Sequence, residues 1–400
     1  MAPCADVDLH GDAVGTGPPA VLLHAGGERR QVWSPVAAAL RDAGCSSLAY
    51  DLRGHGDRAG IPAKRLDDHA GDVSRMVDAA GAAPILVGAS LGGFAAVLAL
   101  ADHDVESRAA GLMLVDVVPD PPPARTRAWL ARNPGLLTQA GPIVDDILAR
   151  GPQLRGIVRS LKLPVLLVRG GPSSAVRDDD ADRFDGLAPH VRIASIPEAG
   201  HLIARDTPAP LARQIAALLN HPGVRRRRIE RFLAGAGTAG TDHPGGTLAD
   251  HLRRTGAKLD EWGAPDWVVD AGRVHAAYGT DGFSHPLSGA SRDRVLDVIG
   301  HRAERLVHLY ATAARSRSYP SFTGREPTII DRRTGERTAL DGETLRAFTA
   351  LTLANELDVF AHSPELLARH SGSAATLFRS WKPLFGTRAA AALDAWLRSL

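Results

Sequence analysis

Six short apolar runs, each followed by a longer stretch with helical spacing, constrain this chain more than any other feature. They are AVLLH at 20–24, SSLAYD at 46–51, PILVGAS at 84–90, GLMLVDV at 111–117, PVLLVRG at 164–170 and VRIASI at 191–196. The runs are continuous rather than alternating, as expected of strands covered by helices on both faces. An α/β fold with a doubly wound, mostly parallel sheet is therefore expected for the first half. Between the fourth and fifth strands lies a proline-opened insertion with short amphipathic pieces, read as a helical lid over about 118–163.

Length and hydropathy extend this reading. Four hundred residues with 44% hydrophobic content exceed what one core usually holds, which points to two domains. The pattern changes after HPGVRRRR, giving boundaries at 1–220 and 225–400. The second domain reads as all-α. Thr247 and Asp250 make a capping-box spacing, Pro265 opens a further helix, and helical stretches are expected over 291–315, 342–361, 363–370 and 374–398. TIIDRRTGERTAL at 328–340 breaks this run as a hairpin around Thr334 and Gly335.

Charge excludes some partners. With 47 basic and 45 acidic side chains there is no global field to draw in nucleic acid or an anionic membrane, so a small-molecule substrate is expected. The four arginines at 225–228 read as the solvated start of a helix. Cys4 and Cys45 are too few for a disulfide framework, no apolar run approaches the span of a bilayer, and the start lacks a signal-peptide pattern. These features lead us to expect a cytoplasmic protein; oligomeric state is not legible.

The chemistry starts at GASLGG, 88–93, between an apolar strand and an apolar helix. Gly88, Ser90 and Gly92 fit the G-x-S-x-G elbow, a sharp turn whose small neighbours lift the serine hydroxyl into the open. Serine needs a base, and His201, in AGHL after the last strand, sits where a loop can carry an imidazole over the strand ends. The N–H of Leu91 and that of Gly26 in the HAGG turn could hold an oxyanion. His24 and His55 read as organisers of their loops.

Taken together, LLHAGGERRQVW, AYDLRGHGD, LVGASLGG, LMLVDVVP, PVLLVRGG and AGHL resemble the α/β-hydrolase family over about 18–220. The resemblance implies catalytic roles for Ser90 and His201. It also exposes a departure, because the aspartate of the family's RGG-x-S-D motif is replaced by Ser174 in RGGPSS. Three solutions stay open: Asp116 at the end of LMLVD, a position that carries the acid in some α/β-hydrolases; one of Asp178, Asp179 or Asp180; or no acid. Asp116 is preferred, since a strand end fixes geometry.

In the second half, His251 and His275 lie on consecutive helices that could bring two imidazoles together. With IGHRAERLVHLY and TLANELDVF, this stretch resembles a bacterial domain of uncharacterised function distantly related to the HD metal-dependent superfamily. The resemblance implies a metal site, yet the superfamily's His-Asp pair is His275-Ala276 here and its late aspartate falls on Asn355. Metal ligation is therefore not expected; if present, it would involve His251 and His275, with Asp281, His285 or Asp358 as possible compensators. No cofactor is expected. The leading reading is a serine hydrolase acting on a small ester, thioester or related acyl substrate; the alternatives are a metal-dependent HD-type enzyme and a catalytically degenerate binding protein.

Overall fold

The computed structural model describes residues 9–132, 143–281 and 285–400. The chain divides into two compact units, Met1–Arg231 and Phe232–Leu400.

The first unit is built on a seven-stranded sheet: β1 (Gly11–Val14), β2 (Pro19–Leu23), β3 (Ser46–Tyr50), β4 (Ile85–Ala89), β5 (Gly111–Val115), β6 (Val165–Arg169) and β7 (Val191–Ser195). Its order is β1-β3-β2-β4-β5-β6-β7. Only β1 is antiparallel, pairing with β3. The six expected runs supply β2 to β7. Edge strand β1 was not expected, and its burial explains why: it is mostly exposed and carries no apolar run.

Alternation along β5 shows why the inner strands read as unbroken apolar runs. Leu112 and Leu114 pack into one core with Val73 and Phe94, whereas Met113 and Val115 pack into another with Trp33, Leu40 and Ile215. Both faces of β5 are covered, so the strand is buried and apolar along its whole length. The chain turns from one direction across the sheet to the other between β2 and β4, which are adjacent and parallel. Crevices at the carboxyl ends of such strands are where open α/β sheets bind ligands.

The lid contains the helices Pro123–Ala131, 143–149 and Gly151–Ser160; its part at 133–142 lies outside the described residues. The arginine run departs from expectation. It belongs to the helix Pro222–Gly235, and Arg225 and Arg228 are buried rather than solvated. Arg227 donates from Nη2 to the Glu106 carbonyl at 2.9 Å and from Nε to that of Ala109 at 3.3 Å. Long arginine stems cover apolar surface while their heads satisfy carbonyls at strand and helix ends.

The second unit is mainly helical, with main helices Leu248–Glu261, Asp266–Val274, Arg292–Thr312, Gly342–His362, Pro364–Trp381 and Thr387–Ser399. The expected capping box forms: Asp250 N donates to Thr247 Oγ1 at 3.2 Å and Thr247 N to Asp250 Oδ2 at 3.1 Å. The expected hairpin pairs Thr328–Ile330 with Arg337–Ala339. The break expected between 370 and 374 does not occur, since Gly372 has open space around it and the helix continues through. The stop falls instead at Lys382, Pro383 and the turn to Gly386.

Candidate active site

The turn after β4 places Ser90 at φ 45° and ψ −111°, a strained conformation for a residue with a side chain. Its neighbours must be glycine for a packing reason. A Cβ on Gly88 would lie 2.5 Å from the Gly92 carbonyl oxygen, and one on Gly92 would lie 2.5 Å from that of Leu23. The helix Leu91–Ala99 starts directly after the serine, so its first N–H groups have no partner within the helix.

Across the crevice, the HAGG turn is held by two histidines. His24 Nδ1 donates to the Ala25 carbonyl at 2.8 Å, and its Nε2 accepts from Leu52 N at 3.0 Å. His55 Nδ1 donates to the Arg53 carbonyl at 2.8 Å, while its Nε2 accepts from Gly27 N at 3.0 Å. Burial pushes the His24 imidazole down to about 4, so it stays neutral and keeps its acceptor nitrogen. Both therefore organise loops, as expected.

His201 Nδ1 donates to Asp116 Oδ2 at 2.8 Å. Asp116 follows β5 and, like Ser90, has a positive φ, 50°. Its carboxylate also receives Gly170 N at 2.9 Å on Oδ1, Ala175 N at 2.9 Å on Oδ2, and the Ser174 hydroxyl on Oδ1. The other three aspartates bind elsewhere: Asp178 pairs with Arg169, Asp179 with Arg125 at 3.2 Å, and Asp180 with Arg125 and Arg183.

Ser90, Leu91, Gly26, His201, Asp116 and Ser174 all line one cavity of about 840 Å³. Two of its walls escaped the sequence reading. Trp129 from the lid lies edge-on against the His201 ring, centroids 4.7 Å apart, and Arg125 of the same helix also faces the cavity. Neither residue belongs to a motif, and a tryptophan in an amphipathic insertion gives no sign of what it covers.

In the second unit His251 and His275 do meet, with their Nε2 atoms 3.4 Å apart and Asn355 Oδ1 at 3.1 Å from His251 Nε2. Their Nδ1 atoms donate away, His251 to Asp358 at 2.9 Å and His275 to the Gly272 carbonyl at 2.8 Å. Burial would raise the Asp358 carboxyl, but hydrogen bonds from His251 and Arg254 outweigh it and hold the group well below the usual carboxylate range. Burial, with His251 alongside, pushes His275 down to about 3.

This donor set does not fit a resident divalent metal. Two imidazoles and an amide face the shared point, and Ala276 and Asn355 bring no negative charge. Asp358 instead faces the far side of His251 and also pairs with Arg254 and Lys258. Asp281 accepts from Arg315 N at 3.3 Å, and His285 is exposed. Among the described residues, no group of three or more His, Cys, Asp or Glu side chains is placed to hold a metal ion. Trp262, Trp267 and Tyr278 are half-buried, with Trp267 under Arg302 and Tyr278 donating to Glu304 at 3.0 Å.

Comparison with known proteins agrees with this division. Residues 18–150 match the family described as alpha/beta hydrolase fold, and residues 232–315 match a domain of unknown function, DUF6817. An esterase of Mycobacterium tuberculosis is 27% identical, over 52% of this chain and 84% of its own. Among solved structures, a thermophilic esterase from Thermogutta terrifontis is 22% identical with a TM-score of 0.45, over 55% of this chain and 94% of its own. An enol-lactonase from Burkholderia xenovorans is 20% identical with a TM-score of 0.43, over 53% and 95%. By its sheet, its family match and its esterase relative, the N-terminal unit is a hydrolase of the α/β-hydrolase fold.

Proposed function

We propose that the N-terminal unit is a serine hydrolase acting on a small ester, thioester or related acyl substrate through an acyl-enzyme. The observation that carries this reading is the His201–Asp116 pair, facing the same cavity as a serine held on a strained turn. In the first step Ser90 Oγ bonds to the acyl carbon while its proton passes to His201 Nε2. Asp116 orients the imidazole and stabilises its charged form. The N–H groups of Leu91 and Gly26 receive the oxyanion, the alcohol or thiol departs with the proton from His201, and water then cleaves the acyl-enzyme by the same route in reverse.

The helical unit carries no step in this reading. Its HD likeness rests on the paired His251 and His275, and its donor set supports no metal chemistry. Cys45 is buried and free, burial pushes its thiol up, and no described helix is long and apolar enough to cross a membrane. These features support our placing the enzyme in the reducing cytoplasm. A fluorophosphonate probe applied to the full chain tests the mechanism. We expect one adduct, mapped by mass spectrometry to Ser90 and absent from Ser90→Ala. Labelling that persists in the alanine variant, or acyl hydrolysis by that variant at the wild-type rate, would refute it.

A further inference from the structure

The acid of the site is enclosed by donors, and one of them is a side chain to which no part in the reaction has been given. A carboxylate offers about four acceptor positions. On Asp116, Oδ1 takes Gly170 N and the Ser174 hydroxyl, and Oδ2 takes Ala175 N and His201 Nδ1. All four positions are filled. Gly170, Ser174 and Ala175 belong to a single loop after β6, so that loop grips a residue standing at the end of the neighbouring strand β5. Ser174 is itself held by the loop: Val176 N donates to its Oγ at 2.9 Å, the Val176 carbonyl lies 3.0 Å from the same Oγ, and its backbone N–H is tied to the Gly171 carbonyl at 2.9 Å.

We propose that Ser174 is a positioning residue for catalysis: its hydroxyl pins Oδ1 of Asp116, so that Oδ2 stays aimed at His201. This rests on the assignment of Ser90, His201 and Asp116 given above. The two amides alone leave one side of Oδ1 open, and a carboxylate free to rotate about its Cβ–Cγ bond would present the imidazole with a poorer acceptor at the moment it gains charge. The bond at Oδ1 is charge-assisted, the stronger class of hydrogen bond. Because the acid stands just after β5, a neutral hydroxyl at 174 serves where a second carboxylate would not: two carboxylates in contact would repel and one would take up a proton.

Steady-state hydrolysis of p-nitrophenyl acetate by the full chain tests this. Ser174→Ala is expected to lose about ten- to a hundredfold in kcat with KM within about twofold, the range for a hydrogen bond to a charged group. Ser174→Thr, which keeps the hydroxyl, should recover most of the loss. The decisive comparison uses Asp116→Asn. If Ser174 acts through the carboxylate, Ser174→Ala adds little further loss in the Asp116→Asn background; a serine that only shapes the loop would add its full factor there. A full additive loss, or wild-type kcat in a Ser174→Ala variant of unchanged melting temperature, would overturn the proposal. Failure of the underlying assignment reads differently, as an Asp116→Asn variant with undiminished turnover.

Discussion

His69 shows how one residue couples this fold to pH. It lies on the helix Leu66–Ala79 with no exposed surface, and neither ring nitrogen has a hydrogen-bond partner. Burial, with His55 nearby, pushes it from 6.5 down to about 4. Between these values the unfolded chain binds a proton that the folded chain does not. Its contribution to stability is therefore complete above about pH 6.5 and falls as pH drops toward 4, by up to about 1.4 kcal/mol per pH unit. His69→Leu should flatten this dependence, because an apolar side chain of similar size loses no hydrogen bond. The urea midpoint for loss of hydrolase activity, compared at pH 7.5 and pH 5, measures it; the same drop in variant and wild type would rule His69 out as a source. Legibility at this scale followed the backbone. Ser90 was visible because only small residues fit its turn, and His201 because it follows the last strand. Asp116 was one of several candidates, since sequence spacing does not show which aspartate meets the imidazole. Ser174 was visible only as a departure from a motif, because its contribution is a contact with a residue 58 positions away.

Among the elements, the lid helix Pro123–Ala131 packs lightly and is tied down by ion pairs. None of its residues is buried, and Arg125 binds Asp179 and Asp180 while Arg127 binds Asp145 at 2.8 Å. The exposed Arg127–Asp145 pair is worth roughly 0–1 kcal/mol, whereas Asp180 is buried, so Arg125 is the side chain that anchors this helix. Trp129, edge-on against the His201 ring, lines the cavity beside that imidazole. Trp129→Ala should therefore raise the ratio of kcat/KM for octanoyl over acetyl p-nitrophenyl esters by about tenfold, the scale of a few methylenes finding room. An unchanged ratio would mean that the acyl chain lies elsewhere in the cavity. The contrast with the sheet explains what was legible among elements. Strands β2, β4 and β5 are buried along their whole length and announce themselves by composition, whereas β1 is exposed and Gly372 continues a helix where glycine usually ends one.

For the whole molecule, the arginine run at 225–228 decides where the hydrolase unit ends. Composition alone placed the end near Asn220, since a charged stretch after His221-Pro222-Gly223 reads as a solvated boundary. Side-chain length reverses that reading. Val224 is fully buried in the same core as Trp33 and Ile215, and Arg227 binds carbonyls at Glu106 and Ala109. The first part of the helix Pro222–Gly235 thus completes the first unit, whose last residue is Arg231. A fragment ending at 235 should retain probe labelling at Ser90 and the thermal stability of the hydrolase unit in the full chain. A fragment ending at 220 loses the Val224 packing, a deletion worth about 1–3 kcal/mol, and leaves the Glu106 and Ala109 carbonyls without Arg227. Its melting temperature should fall by several degrees or more, since about 1 kcal/mol shifts a domain of this size by roughly 2–4 °C. The two fragments melting together would show that the unit closes before the arginine run, with these contacts adding nothing to its stability.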